Sequence, residues 1–245
     1  MSGTTPEGAR NEQEAARWVR GMFGRIAPRY DLANHLLSGN LDRMWRRRTV
    51  KRVGHILDRP KARVLDICCG TGDLAVALRK RSRSAVLASD FCHPMLVAAR
   101  RKMPGGVLFE SDALHLPVRD ASLDLITVAF GFRNLANYEA GLREMRRVLR
   151  PGGMAAILEF SQPRKGLFAS VYGFYSRRIL PLIGGLITGV EDAYRYLPES
   201  IEKFPNATEL AAQMRLAGFE EVTFEHLTGG AVALHLGEAR SPGAG

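Results

Sequence analysis

The chain has 245 residues, of which 46% are hydrophobic and 24% charged, and its formal net charge is +10. That composition is typical of a folded domain and excludes a disordered chain and a collagen-like repeat, while three cysteines are too few for a disulfide framework. A strongly basic chain favours a nucleic acid or an anionic membrane surface as partner, although a charge run is more often a solvated helix face. The densest basic cluster lies between Arg43 and Arg52.

The predicted elements begin with a helical segment over residues 11–57, which we interpret as a cap on the rest of the fold. From residue 63 onward, short apolar runs alternate with helical patterns, which predicts a mostly parallel sheet with helices on both faces. The predicted strands cover residues 63–67, 84–89, 107–110, 123–130, 154–160, 221–226 and 231–236, and the predicted helices between them cover residues 73–81, 93–102, 138–149 and 206–217. A Thr228-Gly-Gly turn joins the last two strands into a hairpin, which is expected to add one antiparallel strand at the edge of the sheet.

A single domain is predicted for residues 11–238, while residues 1–10 and 239–245 are expected to be disordered because they are rich in Gly, Ser, Pro and Ala. Residues 162–200 interrupt the alternation and are interpreted as an insertion on the substrate side. The segment Met1–Gln13 is polar and lacks the apolar core of a signal peptide, so a cytoplasmic location is expected.

The most informative stretch is Val-Leu-Asp-Ile-Cys-Cys-Gly-Thr-Gly-Asp, which ends at Asp73. A strand runs into Gly70, Thr71 and Gly72 and then into a helix, which is typical of a turn that binds a nucleotide cofactor. Asp66 stands at the end of the strand, where it would repel a pyrophosphate but suit the cationic ammonium or sulfonium of S-adenosylmethionine. NAD is the alternative cofactor, because a small residue completes a Gly-x-Gly-x-x-Ala match.

Two further acidic residues follow the next two predicted strands. Asp90 stands about 20 residues after the glycines, where an acidic side chain accepts hydrogen bonds from a ribose. Asp112 and Ala113 follow the third strand and are predicted to meet the adenine edge. Each aspartate alone is equally well explained as a helix cap or turn residue, but three at successive strand ends favour the cofactor interpretation.

The segment after the fourth strand, Phe-Gly-Phe-Arg-Asn134, is unlike the Pro-Pro motif with which enzymes methylate the exocyclic amines of bases. No cysteine stands where a cytosine C5 methyltransferase carries its nucleophile, so a nucleic-acid substrate is not expected. A core role is plausible for Phe130, whereas Arg133 and Asn134 have no core explanation. Ligands bind at the carboxyl ends of strands in sheets of this type. Arg133 and Asn134 are therefore candidate substrate contacts.

Three segments together resemble the UbiE/MenG family of C-methyltransferases of ubiquinone and menaquinone biosynthesis. The matching segments are Phe23–Asp31 with Asn34, Leu37, Ser38 and Trp45, then Phe130–Asn134, then Arg147–Gly153 running to Leu158–Ser161, with Tyr196–Ser200 and Phe204 also fitting the later substrate-side region. The family usually has Met, often Asp and often His at the positions where this chain has Ala33, His35 and Asp42. These departures all fall on the substrate side.

The resemblance implies the α/β fold of class I S-adenosylmethionine-dependent methyltransferases. This is a Rossmann-like, seven-stranded, mostly parallel sheet with an antiparallel C-terminal hairpin strand, helices on both faces and an N-terminal helical cap. The implied reaction is methyl transfer to a ring carbon of a polyprenylated hydroquinone, either demethylmenaquinol or the benzoquinol intermediate of ubiquinone biosynthesis. Another small-molecule acceptor and a non-catalytic cofactor-binding protein are the alternatives. The family's cofactor positions match Thr71, Asp90, Asp112 and Ala113.

Methylation of a hydroquinone carbon requires that a neighbouring hydroxyl lose its proton, and a phenol-like pKa near ~10 means that this group is mostly protonated at neutral pH. Arg133 and Asn134 are predicted to hold and polarise the ring oxygen, because a phenolate is favoured beside a fixed cation. Tyr30 and Asp31 are expected to close over the cofactor from the cap, and His35 is a further candidate base. The chemistry requires neither a metal nor a covalent protein nucleophile.

A polyprenyl tail resides in the bilayer, so transient contact with an anionic membrane surface is expected, on the inner face of the cell membrane. Residues 167–189 are apolar around two arginines and are interpreted as a lid or interfacial helix, with a buried helix pair as the alternative. A homodimer is left open by the sequence, and nucleic acid is not among the predicted partners.

Overall fold

A computed structural model describes residues 3–6, 8–163, 173 and 189–239 of the chain. Among these residues, seven strands form one sheet in the order β3-β2-β1-β4-β5-β7-β6. The strands are β1 (Val64–Asp66), β2 (Val86–Asp90), β3 (Val107–Glu110), β4 (Leu123–Ala129), β5 (Leu149–Phe160), β6 (Phe219–Leu227) and β7 (Val232–Ala239). The helices are α1 (Glu12–Ile26), α2 (Tyr30–Leu37), α3 (Leu41–Arg52), α4 (Gly54–Leu57), α5 (Asp73–Arg81), α6 (His93–Lys102), α7 (Tyr138–Val148), α8 (Glu191–Lys203) and α9 (Ala207–Leu216).

The first five strands are parallel, as the strand–helix alternation predicts. In the centre of the sheet, Leu65 of β1 lies between Leu87 of β2 and Ile126 of β4. Residues 64–66 of β1 and all but the last residue of β4 are buried, because helices cover both faces of the sheet. This arrangement brings the carboxyl ends of β1, β2 and β4 to one edge of the sheet, beneath the cap.

The C-terminal hairpin differs from the prediction in one respect. Its antiparallel strand β7 lies inside the sheet, between β5 and β6, rather than at the edge. The reason is visible in the side chains, because β7 is buried over nearly its whole length whereas β6 exposes charged residues such as Glu220 and Glu221. The more apolar strand therefore takes the inner position. Strand β5 also begins earlier than predicted, at Leu149, and passes Gly152 with φ +69°.

Of four clusters of buried apolar side chains in the described part of the chain, the three largest hold these layers together. One lies between the sheet and the pair α7 and α9, and a second lies on the other face, beneath α3, α4 and α5. The third belongs to the cap and joins α1 to α6 and α8 through Val19, Met22, Met95 and Tyr196. Helix α1 is capped by Asn11, whose side chain accepts the backbone N–H of Glu14. The cap is thus packed against the edge of the sheet at which the strand ends converge.

Residues 3–6 lie in the segment that was expected to be disordered, and two of them make specific contacts with the folded domain. The backbone N–H of Thr4 donates to the carbonyl of Leu135 at 2.8 Å, and its hydroxyl is 2.7 Å from the hydroxyl of Tyr196. Thr4 is buried by these contacts. Both its backbone N–H and its hydroxyl are hydrogen-bonded, and amino-acid composition alone does not predict such contacts. The predicted lid at 167–189 lies outside the described residues except for 173 and 189, as do residues 240–245 of the predicted disordered tail.

Among the described residues, no helix is both long enough and apolar enough to cross a membrane.

Candidate functional site

The carboxyl ends of the central strands open into a cavity beneath α1 and α2, which we call the cofactor cavity. Six of the seven predicted cofactor residues line it, namely Asp66, Gly70, Thr71, Asp90, Asp112 and Ala113. Gly72 does not line the cavity. It has φ +86° and precedes α5, where a Cβ atom would come within 3.2 Å of the Ala99 side chain. Its role is to let the loop turn tightly against α6.

Asp90 fixes the glycine loop in place. One of its carboxylate oxygens accepts the backbone N–H of Gly70 at 2.8 Å, and the other accepts the backbone N–H of Cys92 at 2.9 Å. Burial raises the pKa of Asp90 to about 6, against the lowering effect of these two hydrogen bonds. The predicted contact to a ribose stays a prediction, and it requires lone pairs that these two amides do not use.

The carboxylate of Asp66 is hydrogen-bonded through only one of its two oxygens in the described part of the chain. Its Oδ1 accepts the hydroxyl of Thr127 at 2.6 Å, whereas its Oδ2 is buried and has no hydrogen-bond partner among the described residues. Burial raises the pKa of Asp66 to about 7, although the hydroxyl of Thr127, the nearby Arg46 and the backbone N–H of Ala75 act in the opposite direction. Buried polar atoms are normally paired, so an orphaned carboxylate oxygen on a cavity wall suits a cationic ligand. This is the property that the ammonium of S-adenosylmethionine requires.

Helix α2 is clamped to the glycine loop by Asp31. Its carboxylate accepts the hydroxyl of Thr71 at 2.5 Å and the Nζ of Lys102 at 2.5 Å, and Lys102 also contacts Asp73 at 2.6 Å. Tyr30 precedes Asp31 and lies over Gly70. The structure therefore places Tyr30 and Asp31 above the loop, and their closure over the cofactor stays a prediction. The hydroxyl of Thr71 is engaged by the clamp.

A second cavity of about 440 Å³ lies beside the first and is lined mainly by residues of α1, α2, α3 and α8. We call it the acceptor cavity. It shares four wall residues with the cofactor cavity: Phe23, Tyr30, Arg46 and Phe130. Its other lining residues are mostly apolar, including Met22, Ile26, Leu36, Leu37 and Leu197. A small ligand in one cavity thus lies next to a ligand in the other.

An aromatic cluster forms the floor of the acceptor cavity. Phe130 lies 5.7 Å from Trp45 and 4.9 Å from Phe160, measured between ring centroids. Phe130 has φ +59°, an uncommon conformation for a residue with a side chain, and such strain is concentrated at functional sites. Phe132, by contrast, is fully buried in the core beside Tyr138. Phe130 also belongs to the buried cluster beneath α3, α4 and α5, so it has the predicted core role and lines the cavity as well.

Arg133 has the structural partner that sequence reasoning missed. Its guanidinium pairs with Glu159 at 2.9 Å, donates to the carbonyl of Phe130 at 2.6 Å and lies over the ring of Phe160. Both members of the ion pair are almost fully buried. Arg133 nevertheless lines the acceptor cavity, and its Nη2 makes no hydrogen bond to the described part of the chain.

Asn134 lies on the other cavity. It lines the cofactor cavity, and its Oδ1 accepts the hydroxyl of Tyr196, which is itself bonded to Thr4. Its Nδ2 is 3.4 Å from the carbonyl of Phe130. The neighbouring Arg133 and Asn134 therefore point into adjacent cavities, at the boundary between them. Tyr196 was placed in the family's substrate-side region, but its orienting contact with Asn134 carries no sequence signal.

Arg46 is a site residue that the sequence analysis did not identify. It lines both cavities, its guanidinium lies over the ring of Phe130, and it pairs with Asp42 and, at 3.6 Å, with Asp73. The signal was present in the spacing of α3, because the buried Trp45 and Thr49 mark the inward face. The charge cluster was interpreted as a whole, so its one inward arginine was overlooked.

Two of the three departures from the family pattern, His35 and Asp42, are in contact with each other. The Nδ1 of His35 lies 2.8 Å from a carboxylate oxygen of Asp42, so the reversed His and Asp form one pair. His35 lines neither cavity, which argues against its proposed role as the base. The ligand atoms of His35, Asp42 and Asp73 lie within 4.8 Å of one another, but Arg46 already contacts both carboxylates.

Comparison with known proteins agrees with this geometry. The model of the ubiE/COQ5 methyltransferase family matches residues 9–239. A demethylmenaquinone methyltransferase of Thermus thermophilus is 50% identical over 89% of this chain and 99% of its own length, and one of Deinococcus radiodurans is 44% identical over 94% and 96%. An Azotobacter vinelandii protein named ubiquinone/menaquinone biosynthesis C-methyltransferase UbiE is 44% identical over 92% of this chain and 91% of its own.

The fold is also shared with a solved structure. A SAM-dependent methyltransferase of Thermotoga maritima superimposes with a TM-score of 0.64 at 21% identity, over 90% of this chain and 99% of that one. The predicted class I methyltransferase fold and the predicted family are both confirmed. The chain belongs to the ubiE/COQ5 methyltransferase family and is an S-adenosylmethionine-dependent C-methyltransferase.

Proposed function

We propose that the protein methylates a ring carbon of demethylmenaquinol to give menaquinol. The proposal rests first on two cavities that meet at Tyr30, Arg46 and Phe130. One of them contains the carboxylate of Asp66, whose Oδ2 has no partner among the described residues, and the other is lined mostly by apolar side chains. It is supported by the relatives named demethylmenaquinone methyltransferase, at 50% and 44% identity over most of the chain. The benzoquinol intermediate of ubiquinone biosynthesis is the second candidate acceptor, because relatives named UbiE are 44% identical.

The cofactor cavity fits S-adenosylmethionine through its distribution of charge. The unpaired Oδ2 of Asp66 holds the ammonium, and Asp112 and Ala113 meet the adenine edge. One oxygen of Asp112 already accepts the backbone N–H of Leu114 at 2.9 Å, which turns the side chain and leaves its other oxygen for the amine. When bound, the cofactor supplies an electrophilic methyl group on its sulfonium.

The acceptor ring lies on the aromatic cluster of Trp45, Phe130 and Phe160, where offset stacking favours a planar ligand. Arg133 reaches the ring oxygen with the Nη2 donors that no described residue uses, and Asn134 orients the ring from the cofactor side. A cation beside the oxygen lowers the pKa of the hydroxyl and stabilises the phenolate that makes the ring carbon nucleophilic. The pair with Glu159 holds that cation in place.

The test of this function is methylation in vitro with a short-tailed demethylmenaquinol, kept reduced, and with the matching benzoquinol. We expect methyl transfer to the naphthoquinol and a slower reaction or none with the benzoquinol. Methylation of the benzoquinol alone reassigns the acceptor. If neither quinol is methylated while the protein binds S-adenosylmethionine, the quinol proposal is wrong and another small molecule is the substrate.

We also propose that the protein reaches its acceptor by transient contact with an anionic membrane on the cytoplasmic side. The support is physical: a polyprenyl tail partitions into the bilayer, and a chain of net charge +10 is attracted to acidic lipid. Flotation with vesicles tests it, and absence of binding at low salt contradicts it.

A further inference from the structure

Helices α2 and α3 meet at a corner that exposes an unusual amount of apolar surface. Leu32 and Leu36 on α2 are 55% and 57% exposed, and Leu41 and Met44 on α3 are 38% and 48% exposed. Within each helix these residues are three or four positions apart, so each pair shares one face. We call these four residues the α2–α3 corner. Large exposed apolar patches on a folded protein mark interaction surfaces.

The corner is continuous with the acceptor cavity. Leu36 and Leu41 belong to the corner and also line that cavity, together with Ser38 and Gly39 of the turn between the helices. The apolar surface therefore runs from solvent into the cavity along the same side chains. A long apolar tail bound in the cavity leaves the protein across this corner.

A stripe of basic side chains flanks the corner on α3. Arg43, Arg47 and Lys51 are four positions apart, are exposed, and form no ion pair with the described residues. Two other basic residues of the helix, Arg48 and Arg52, pair with Glu225. The basic cluster thus consists of the inward Arg46, two arginines that share one carboxylate, and a stripe without ion pairs to the described residues.

We propose that the α2–α3 corner is the surface through which the protein docks on an anionic lipid bilayer. The four apolar side chains enter the boundary between headgroups and acyl chains, and the basic stripe contacts the anionic headgroups. The tail of the acceptor then passes from the bilayer into the cavity without crossing water. This inference depends on the proposed polyprenylated acceptor for its purpose, but the docking surface itself depends only on exposure and charge.

Vesicle binding of the full chain tests the surface. The apolar variant is Leu32→Gln with Met44→Gln, which changes neither of the cavity-lining members of the corner. The basic variant is Arg43→Gln with Arg47→Gln and Lys51→Gln. The apolar control is Leu216→Gln, because Leu216 is 86% exposed on α9, and the charge control replaces Arg100, Arg101 and Arg119 by Gln.

We expect the unaltered protein to bind vesicles that contain phosphatidylglycerol and to bind pure phosphatidylcholine weakly. Each test variant lowers the partition into anionic vesicles by about tenfold or more, and each control by less than about threefold. Raising the salt weakens binding of the unaltered protein but not the residual binding of the basic variant. Circular dichroism and thermal unfolding confirm that each variant is folded.

An activity measurement separates this inference from the proposed function. Both test variants are expected to methylate a short-tailed quinol in solution at the normal rate and a long-tailed quinol in vesicles at a reduced rate. Equal vesicle binding by test and control variants overturns the docking surface while leaving the function intact. A dimer that dissociates in the Leu32→Gln, Met44→Gln variant, with no binding to vesicles, assigns the corner to a second copy of the chain and also overturns it.

Discussion

The cofactor cavity and the acceptor cavity are adjacent but are built from different kinds of sequence. The first is assembled from strand ends, so its residues follow apolar runs at regular intervals along the chain. The second takes most of its residues from α1, α2, α3, α8 and the segment after β4, with no regular spacing along the chain. A site at the carboxyl edge of a parallel sheet can therefore be predicted from sequence, whereas the residues of a site between helices are identified only from the folded structure.

The two cavities also differ in how their charges are balanced. On the cofactor side, Asp66 keeps an oxygen that has no hydrogen-bond partner in the described part of the chain. On the acceptor side, Arg133 and Arg46 are already paired with Glu159 and Asp42. The first arrangement draws a charged ligand in, and the second fixes two cations before the acceptor arrives. The predictions that follow test this difference, from the largest expected effect to the smallest.

Breaking the buried pair has the largest expected effect. Arg133→Met leaves Glu159 buried without its cation, which is expected to lower the free energy of unfolding by about 3–5 kcal/mol. Removing both charges with Arg133→Met and Glu159→Met restores part of that stability, because no unpaired charge stays buried but the backbone N–H groups of Arg133 and Phe160 lose their acceptor. Urea unfolding measures both, with Arg143→Ala as control, since its pair with Glu139 is exposed and is worth less than about 1 kcal/mol.

The double variant also separates the two roles of Arg133. If Arg133 polarises the ring oxygen, the stable double variant still binds S-adenosylmethionine normally but turns over at least about a hundredfold more slowly. Calorimetry gives the cofactor affinity and a methyl-transfer assay the rate. Normal turnover in the double variant contradicts the catalytic role and leaves Arg133 as a structural residue.

Removing the unpaired carboxylate is the next largest effect. Asp66→Asn keeps an oxygen to accept the hydroxyl of Thr127 but removes the charge offered to the cofactor. A hydrogen bond to a charged group contributes about 1.5–3 kcal/mol, so the Kd for S-adenosylmethionine is expected to rise roughly tenfold to a hundredfold. The exposed Asp120→Asn is the control. An unchanged Kd would show that the ammonium binds elsewhere.

These residues illustrate what sequence does and does not reveal. Asp66, Asp90 and Asp112 line one cavity, because a strand followed by an acidic residue puts that residue at the carboxyl edge of the sheet, and their contacts to the cofactor stay a prediction. The same logic located Arg133 but not Glu159, since the partner stands on β5, 26 positions away, and nothing local connects them. An ion pair of this kind forms because the order of the strands brings distant residues together. No local sequence pattern indicates that order.

The cap shows the same limit on a larger scale. Its helices were predicted, but the inward position of Arg46 and the burial of Thr4 depend on how the cap rests on the sheet. The position of the antiparallel strand was wrong for a related reason. Both strands of the hairpin were identified, but which of them pairs with β5 depends on their relative burial. Elements and strand-end residues were thus predictable, whereas the contacts between elements were not.

Changing the pH probes the unpaired carboxylate without mutation. Burial raises the pKa of Asp66 to about 7 in the free protein, so the group is mostly protonated at pH 6 and mostly ionised at pH 8. A cationic ligand binds the ionised form, so affinity for S-adenosylmethionine is expected to be about tenfold lower at pH 6 than at pH 8. Asp90, whose pKa burial raises to about 6, adds a smaller decrease at lower pH.

The control for this pH dependence is Asp66→Asn, which loses the step near pH 7 and keeps the weaker one. The sign for stability is opposite to that for binding. Because the pKa of Asp66 is higher in the folded protein than in the unfolded chain, the free protein loses stability as the pH rises from about 4 to about 7. A cofactor affinity that is flat between pH 6 and 8 contradicts the assignment of Asp66 to the ammonium.

Removing the clamp between α2 and the glycine loop has the smallest expected effect. Lys102→Met removes the cation that joins Asp31 of the cap to Asp73 of α5 and leaves the hydroxyl of Thr71 bonded to Asp31 alone. The three charged side chains are partly exposed, so solvent screens the loss to less than about 1 kcal/mol. Asp31 holds α2 over the glycine loop, so a weaker clamp is expected to reduce cofactor binding. The Kd for S-adenosylmethionine rises by up to about fivefold, and kcat is unchanged. Arg101→Met on the same helix is the matched control, and equal affinities in the two variants would mean that the cap closes over the cofactor without this clamp.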